Sequence, residues 1–468
     1  MSGSDLGAER HMTDSEALMW NLEKDPLLRA SFGNVTVMDQ PADVERFRER
    51  MERVAGAFPR LRRKVTPTFG RLAPPRWVDD RDFHLDFHLR RVAVPGDGGD
   101  RDLLDLAAEL SADPFDRTRP LWRFWMVEGL TEGRGAVIQQ IHHTITDGEG
   151  GVRLSAMMLD LERDAAEPMM PIPEPDRGEG PLDADRSMLD GLRDAVTHNA
   201  RRQAGVVLRG AGSLVDTLSH PETLPAALRD GASMATSLAR QALVADPARS
   251  PLWTERSLHR HLETLRVPLD DARRAAKALG GTVNDFFVAG AAAAAGDLHR
   301  RRGHPVDELR ISMPVSTRQR GDSGGNAFSP MRLLVPTGPI TPAERFAAVH
   351  EHLGTTKGER AITAASNVAG VINLLPTSLL VRTGRQIVST IDFAVSNVRG
   401  APFDLYMAGA KILANYPVGP TAGTAFNLTL LSSGGMLDMG LNCDAAAVDD
   451  PEELKQCLEL AYEELLSA

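Results

Sequence analysis

Residues 139–150 read QQIHHTITDGEG. Two adjacent histidines, His142 and His143, are followed by Asp147 and Gly148, and the strand-like run Ala136–Ile141 feeds straight into them. Thr144 to Thr146 are β-branched or hydroxylated, and a glycine closes the segment, so a turn or loop is expected after the strand rather than a helix. Three chemistries fit these residues. His143 and Asp147 could share a metal ion if they lay on a helix, but no third ligand is identifiable from the spacing. The imidazoles could simply satisfy hydrogen bonds at a strand end. A neutral imidazole could also take a proton from a hydroxyl or amine near neutral pH, provided the loop holds it in one tautomer.

Working outward, the residues before this stretch alternate helix and strand. Pro41–Ala57 carries apolar side chains at helical spacing, and a second helix is expected around Asp102–Ala112. In FHLDFHLRR, Phe83, Leu85, Phe87 and Leu89 alternate with His84, Asp86, His88 and Arg90. That pattern predicts a half-buried strand with the second set facing solvent. Leu121–Val127 reads as a further strand. The composition then shifts to proline and acid in EPMMPIPEPDRGEGPLDAD, residues 167–185, which reads as an exposed linker. Ser187–His220 has a helical apolar stripe that suits packing on the protein or resting on lipid, and Thr223–Ala245 is a second helical stretch. From about Leu258 the mixed pattern resumes, with helices in DDARRAAKALG, NDFFVAGAAAAAGDLHRR and PEELKQCLELAYEELLS and a strand in LRISMPVST. The expected organisation is therefore 1–166, a connecting region 167–257, and 258–468.

The 468 residues are enough for two domains. Lys+Arg 53 against Asp+Glu 64 leaves a net charge of -11, which argues against a general nucleic-acid binder. Cys443 and Cys457 are the only cysteines, so a reducing cytoplasm is expected. No secretion signal is evident at the start. The least charged run, 361–381, contains Asn367, Asn373 and Pro376 and is a poor membrane span.

The motifs together resemble a known family. His142-His143-Thr144-Ile145-Thr146-Asp147-Gly148 fits the HHxxxDG motif of acyltransferases built like chloramphenicol acetyltransferase, a superfamily that includes peptide-synthetase condensation domains. Pro120-Leu121-Trp122 and Asn284-Asp285 resemble the PLW and ND motifs of the bacterial wax ester synthase/diacylglycerol acyltransferase family. Pro314–Arg318 and the stretch from Ser396-Asn397 onward are similar to it in the same order, with Arg399 where that family commonly has proline.

That resemblance implies an α/β architecture with mixed sheets: two chloramphenicol acetyltransferase-like domains forming a pseudodimer with an interdomain tunnel. It implies His143 as general base for transfer of a long-chain acyl group from acyl-CoA to diacylglycerol or a fatty alcohol, with no acyl-enzyme, no cofactor and no metal. His142 would orient the loop, Asp147 would hold it through an arginine such as Arg318, and Gly148 would permit the turn. Pro120, Leu121 and Trp122 would shape the tunnel. Asn284, at an expected helix N-cap, or Ser396 would meet the oxyanion; Asp285 and Asn397 accompany them. Association with a membrane face or lipid droplets is expected because the acceptors are water-insoluble. The rival readings are a condensation-type enzyme using carrier-bound acyl groups and a non-catalytic lipid or acyl-CoA binder.

Overall fold

In this computed structural model, which describes residues 11–68, 73–146, 148–174, 247–316, 328–357 and 377–468, the histidine-bearing strand lies inside a six-stranded sheet. The N-terminal region runs α1 (Asp14–Leu22), β1 (Ser31–Met38), α2 (Val44–Ala57), β2 (Arg63–Thr66), β3 (Arg76–Asp79), α3 (Leu85–His88), β4 (Leu89–Ala93), α4 (Asp100–Ala112), β5 (Trp122–Glu128), β6 (Gly135–His142) and α5 (Gly148–Ala156). The C-terminal region runs β7 (Arg260–Pro268), α6 (Leu269–Ala278), α7 (Val283–Arg301), β8 (Glu308–Ser316), β9 (Phe328–Pro336), α8 (Pro342–Lys357), α9 (Thr377–Val388), β10 (Phe393–Arg399), β11 (Tyr406–Met407), β12 (Ala410–Val418), β13 (Phe426–Ser433), β14 (Met436–Asp444) and α10 (Pro451–Ser467). The helices expected in 187–220 and 223–245, and residues 175–185 of the linker, lie outside the described residues; 167–174 form no helix or strand.

The first sheet has the order β11-β12-β1-β6-β5-β4 and the second β7-β14-β13-β10-β8-β9. Both are mixed. In the first only β4 and β5 run parallel, and in the second β10 runs parallel to both β13 and β8. The fold is thus α/β with mixed sheets, as expected. Two strands of the C-terminal region, β11 and β12, complete the first sheet, with Val35 opposite Tyr416 across the β1–β12 pair. Where β12 passes the second sheet, a Cβ at Gly440 would overlap the Pro417 carbonyl oxygen, so only glycine admits that approach.

Local chemistry accounts for the elements. Thr13 and Glu16 form a reciprocal capping box on α1, with Thr13 Oγ1 accepting from the Glu16 amide and Glu16 Oε2 from the Thr13 amide. Phe47, Met51 and Val54 recur on one face of α2 and are fully buried. α7 is apolar nearly all round and is sandwiched, with Phe286 stacked on Tyr462 of α10 at 5.4 Å between centroids.

One local expectation fails. Leu85–His88 is a helical turn and β4 begins only at Leu89, so the alternation in FHLDFHLRR does not mark one strand. His88, expected on the solvent face, is fully buried. Its ring stacks on Trp122 at 4.6 Å, and its Nδ1 donates to the Trp122 carbonyl at 2.8 Å. Packing against a tryptophan outweighs a period-two pattern that spans only a few residues.

Candidate active site

β6 delivers His142 at its last residue, and Thr144 and Ile145 turn the chain before α5 starts at Gly148. This is the strand-then-turn order the β-branched residues require. The turn is anchored from several sides. The His142 amide donates to the Leu121 carbonyl at 3.0 Å, and the His143 amide donates to Ala30 O at 3.1 Å. Arg60, buried, donates to the Thr144 carbonyl at 2.9 Å and to Glu16 Oε1 at 2.5 Å.

The two histidines occupy different environments. His142 is fully buried. The Thr144 amide donates to its Nδ1 at 3.1 Å, so Nδ1 presents a lone pair and the proton sits on Nε2. Nε2 lies 2.9 Å from Glu23 Oε2. Glu23 also accepts from the Ala30 amide at 2.9 Å and from Arg117 at 3.2 Å. Burial opposes its charge, but His142, the Ala30 amide and Arg117 together hold its carboxyl down to about 2. Arg117 in turn lies over the Trp20 ring at 4.0 Å. Both ring nitrogens of His142 are therefore committed to structure. His143 is half-buried, with its ring 4.6 Å from that of Phe32.

The PLW residues sit directly behind the histidines. Leu121 is 1% and Trp122 0% exposed, and Pro120 is buried as well. Trp122 pairs with Ile141 across β5–β6 and donates its indole N–H to Leu61 O at 2.8 Å. These three residues position the histidine strand and fill the core.

α5 packs against β10 of the second sheet, the strand that carries Ser396 and Asn397. Asn397 Nδ2 donates to Asn284 Oδ1 at 3.1 Å, so two of the motifs meet. Asn284 is not the N-cap of its helix. Thr282 is, because its hydroxyl can reach the Asp285 amide in a capping box, and Asn284 stands two residues further in, as the second residue of the helix. Asp285 is buried, accepts from Thr282 N and Oγ1 at 2.8 Å each, and meets His350 Nδ1 at 2.9 Å. Arg399 ends β10 opposite Ser432 and extends the strand, where a proline would stop it. Asp147 and the candidate partner Arg318 lie outside the described residues, as do the details of the Gly148 side.

Among the described residues no group of three metal-ligating side chains occurs, and no helix is long and apolar enough to cross a membrane; most of 361–381 falls outside them. Glu16, Glu23, Arg60 and Arg117 were not singled out from sequence. The signal was present: Glu16, Trp20 and Glu23 share one face of α1 at helical spacing, an odd mixture for a solvent face.

Residues 12–287 match the family model described as the wax ester synthase/diacylglycerol acyltransferase catalytic domain, and residues 324–466 match the C-terminal domain of the same proteins. A putative diacylglycerol O-acyltransferase of Mycobacterium tuberculosis is 35% identical over 454 residues, 96% of this chain and 90% of that protein. A probable diacylglycerol O-acyltransferase of the same species is 27% identical over 473 residues, covering 98% and 96%. Among solved structures, a wax ester synthase/diacylglycerol acyltransferase from Marinobacter aquaeolei superposes with a TM-score of 0.63 at 21% identity over 97% of this chain and 98% of that one. The first condensation domain of the calcium-dependent antibiotic synthetase gives 0.58 at 16% identity, over 98% and 97%.

Proposed function

We propose that this chain, which belongs to the wax ester synthase/diacylglycerol acyltransferase family, moves a long-chain acyl group from acyl-CoA to the hydroxyl of diacylglycerol or a long-chain alcohol. That it is an acyltransferase follows from the family; the donor, the acceptor and the residue roles are our reading.

The observation that carries the reading is the division of labour between the histidines. His142 is tied at both ring nitrogens to Thr144 and Glu23, whereas His143 is the half-buried member of the pair. In the proposed reaction His143 accepts the acceptor's hydroxyl proton as that oxygen attacks the thioester carbonyl. The tetrahedral intermediate collapses with cleavage of the carbon–sulfur bond, and the imidazolium returns the proton to the CoA thiolate. A positioned base of this kind contributes roughly 10²–10⁴-fold, and holding the two substrates together contributes more.

The remaining roles follow from position. Glu23 and Arg60 hold the turn from beneath. Asn284 or Ser396 supplies a hydrogen bond to the oxyanion; with its Oδ1 engaged by Asn397, Asn284 keeps its amide hydrogens as donors. Neither cysteine suits an acyl-enzyme: both are buried, and burial pushes the Cys457 thiol up to about 12 and Cys443 higher still.

The test supplies palmitoyl-CoA with hexadecanol or with diacylglycerol and follows ester and CoA. Ester that disappears in His143→Ala supports the reading, and the preferred alcohol selects wax or triacylglycerol. Folded protein that makes no ester from either, but does so from a carrier-bound acyl group, would replace it with a condensation-type reaction.

A further inference from the structure

Both histidines rest on one short segment of the N-terminal region, residues 23–30. Glu23 Oε2 meets His142 Nε2 at 2.9 Å, and the Ala30 carbonyl accepts from the His143 amide at 3.1 Å. The segment closes on itself, because Glu23 Oε1 accepts from the Ala30 amide at 2.9 Å. Between these ends Asp25 caps a 3₁₀ turn, Pro26–Leu28, by accepting from the Leu27 amide at 3.1 Å. A displacement of this segment therefore moves the support of both imidazoles at once.

A second hold on the segment comes from the other half of the chain. α9 packs on α1, and its Gly384 is a point of close approach: a Cβ there would stand 2.6 Å from Leu22 Cδ2 and 3.2 Å from Leu28 Cδ1. The next residue, Arg385, donates from Nε and Nη2 to the two oxygens of Asp25, with Nη2 to Oδ1 at 3.0 Å. This two-pronged contact fixes orientation as well as distance. Exposed ion pairs are ordinarily worth little. Here, however, the Asp25 side chain is only 2% exposed, and no other cationic side chain pairs with it among the described residues. Arg385 holds its carboxyl below the ordinary carboxylate range, against the effect of burial.

The same helix is tied to the second sheet. α9 ends at Val388, and β10, the strand of Ser396 and Asn397, begins at Phe393. Between them Asp392 accepts from the backbone amides of Arg249, Ser250 and Arg310 at 2.8, 2.8 and 2.7 Å, which leaves the junction little freedom. α9 thus has the support of the histidines at its side and the strand of an oxyanion candidate at its end.

We infer that Arg385 is a positioning residue for acyl transfer: by gripping Asp25 it fixes residues 23–30, and with them the histidine pair, relative to β10. It acts through Asp25 and takes no part in the proton transfer. A base and an oxyanion donor carried by different halves of the chain must keep their spacing through each turnover, and the grip supplies a direct tie between those halves. The inference rests on the acyl-transfer reading, with His143 as the base and Ser396 or Asn284 as the oxyanion donor.

The experiment measures ester formation by the full chain from palmitoyl-CoA with hexadecanol or diacylglycerol, beside thermal melts and amide hydrogen exchange. Arg385→Ala is expected to lower kcat by about ten- to a hundredfold, the scale on which a misplacement of about 1 Å acts, and to leave KM for both substrates within about twofold. Exchange across residues 23–30 and at the His143 amide should quicken. Arg385→Lys, which keeps the charge but not the fork, should recover part of kcat. Arg385→Ala combined with Asp25→Asn leaves no unpaired buried charge, so it should melt close to the wild type while kcat stays low. Arg382→Ala, which removes an exposed charge from the same helix, should change none of these.

A wild-type kcat in Arg385→Ala, or in the double variant, overturns the positioning role; in the second case the ion pair serves stability alone. A rise in KM with kcat unchanged overturns it as well and assigns Arg385 to substrate binding. A wild type that forms no ester overturns the acyl-transfer reading instead. Exchange then judges the grip by itself: quickened exchange at residues 23–30 and His143 in Arg385→Ala upholds it, and unchanged exchange overturns it.

Discussion

Glu23 and His142 meet at 2.9 Å in the buried layer beneath the turn that carries His143. The contact joins the end of α1 to the end of β6, two elements more than a hundred residues apart in sequence. It makes one histidine of an adjacent pair part of the scaffold, while the other stays half-buried.

Replacing His143 by alanine should lower ester formation by about 10²–10⁴-fold with little change in melting temperature, because the side chain is half-buried. His142→Ala should reduce both rate and stability, since it removes the partner of Glu23 and of the Thr144 amide. Steady-state rates beside thermal melts separate the two effects. Equal melting temperatures for both variants would contradict the division of labour.

Glu23→Gln should cost about 3 kcal/mol in urea denaturation at neutral pH, because it removes a carboxylate that His142, the Ala30 amide and the half-exposed Arg117 hold well below its ordinary value. The native carboxyl sits near 2, below its ordinary 4.5. Its contribution is present above the unfolded value and is lost as pH falls from about 4.5 toward 2. The wild type should therefore lose its advantage over the variant across that window.

His88 supplies the opposite chemistry with the same direction. Burial pushes its imidazole down to about 4, against a hydrogen bond to the Trp122 carbonyl that pulls it upward. The unfolded chain takes up the proton at a higher pH than the folded one, so stability should fall as pH drops from 6.5 to 4. The limit is roughly 3 kcal/mol by proton linkage. Denaturation curves at pH 7 and pH 5 should show the slope in the wild type and a smaller one in His88→Asn.

Asn284 and Asn397 link α7 to β10 through a single hydrogen bond of 3.1 Å. A double-mutant cycle with alanine at both positions should give a coupling of about 1 kcal/mol in stability. If Asn284 also serves the oxyanion, its single variant should lower kcat by a larger factor than Asn397→Ala does. Equal losses would assign Asn284 a positioning role alone.

Much of this was legible in the sequence, for physical reasons. Gly135–His142 and the turn after it follow from an apolar run ending in β-branched residues, and α7 and α10 follow from long uninterrupted helical patterns. What escaped was whatever depends on distant partners. His88 looked solvent-facing until Trp122 covered it, and the role of Glu23 rests on His142, Arg117 and the Ala30 amide, none of which is its neighbour in sequence. The alliance of Asn284 with Asn397 crosses more than a hundred residues and has no local signature.

The crossing of β12 into the first sheet bears on how this chain is made. β1 is synthesised early, yet its second neighbour, Ala410–Val418, leaves the ribosome only after most of the protein has emerged. Until then one edge of β1 has unpaired backbone groups, a surface that invites association with other chains. β6, which ends in His142, is the other neighbour of β1, so it reaches its final support late. Nascent chains halted before residue 410 should bind chaperones and resist protease poorly across residues 31–142, and those extended past residue 418 should become protected there.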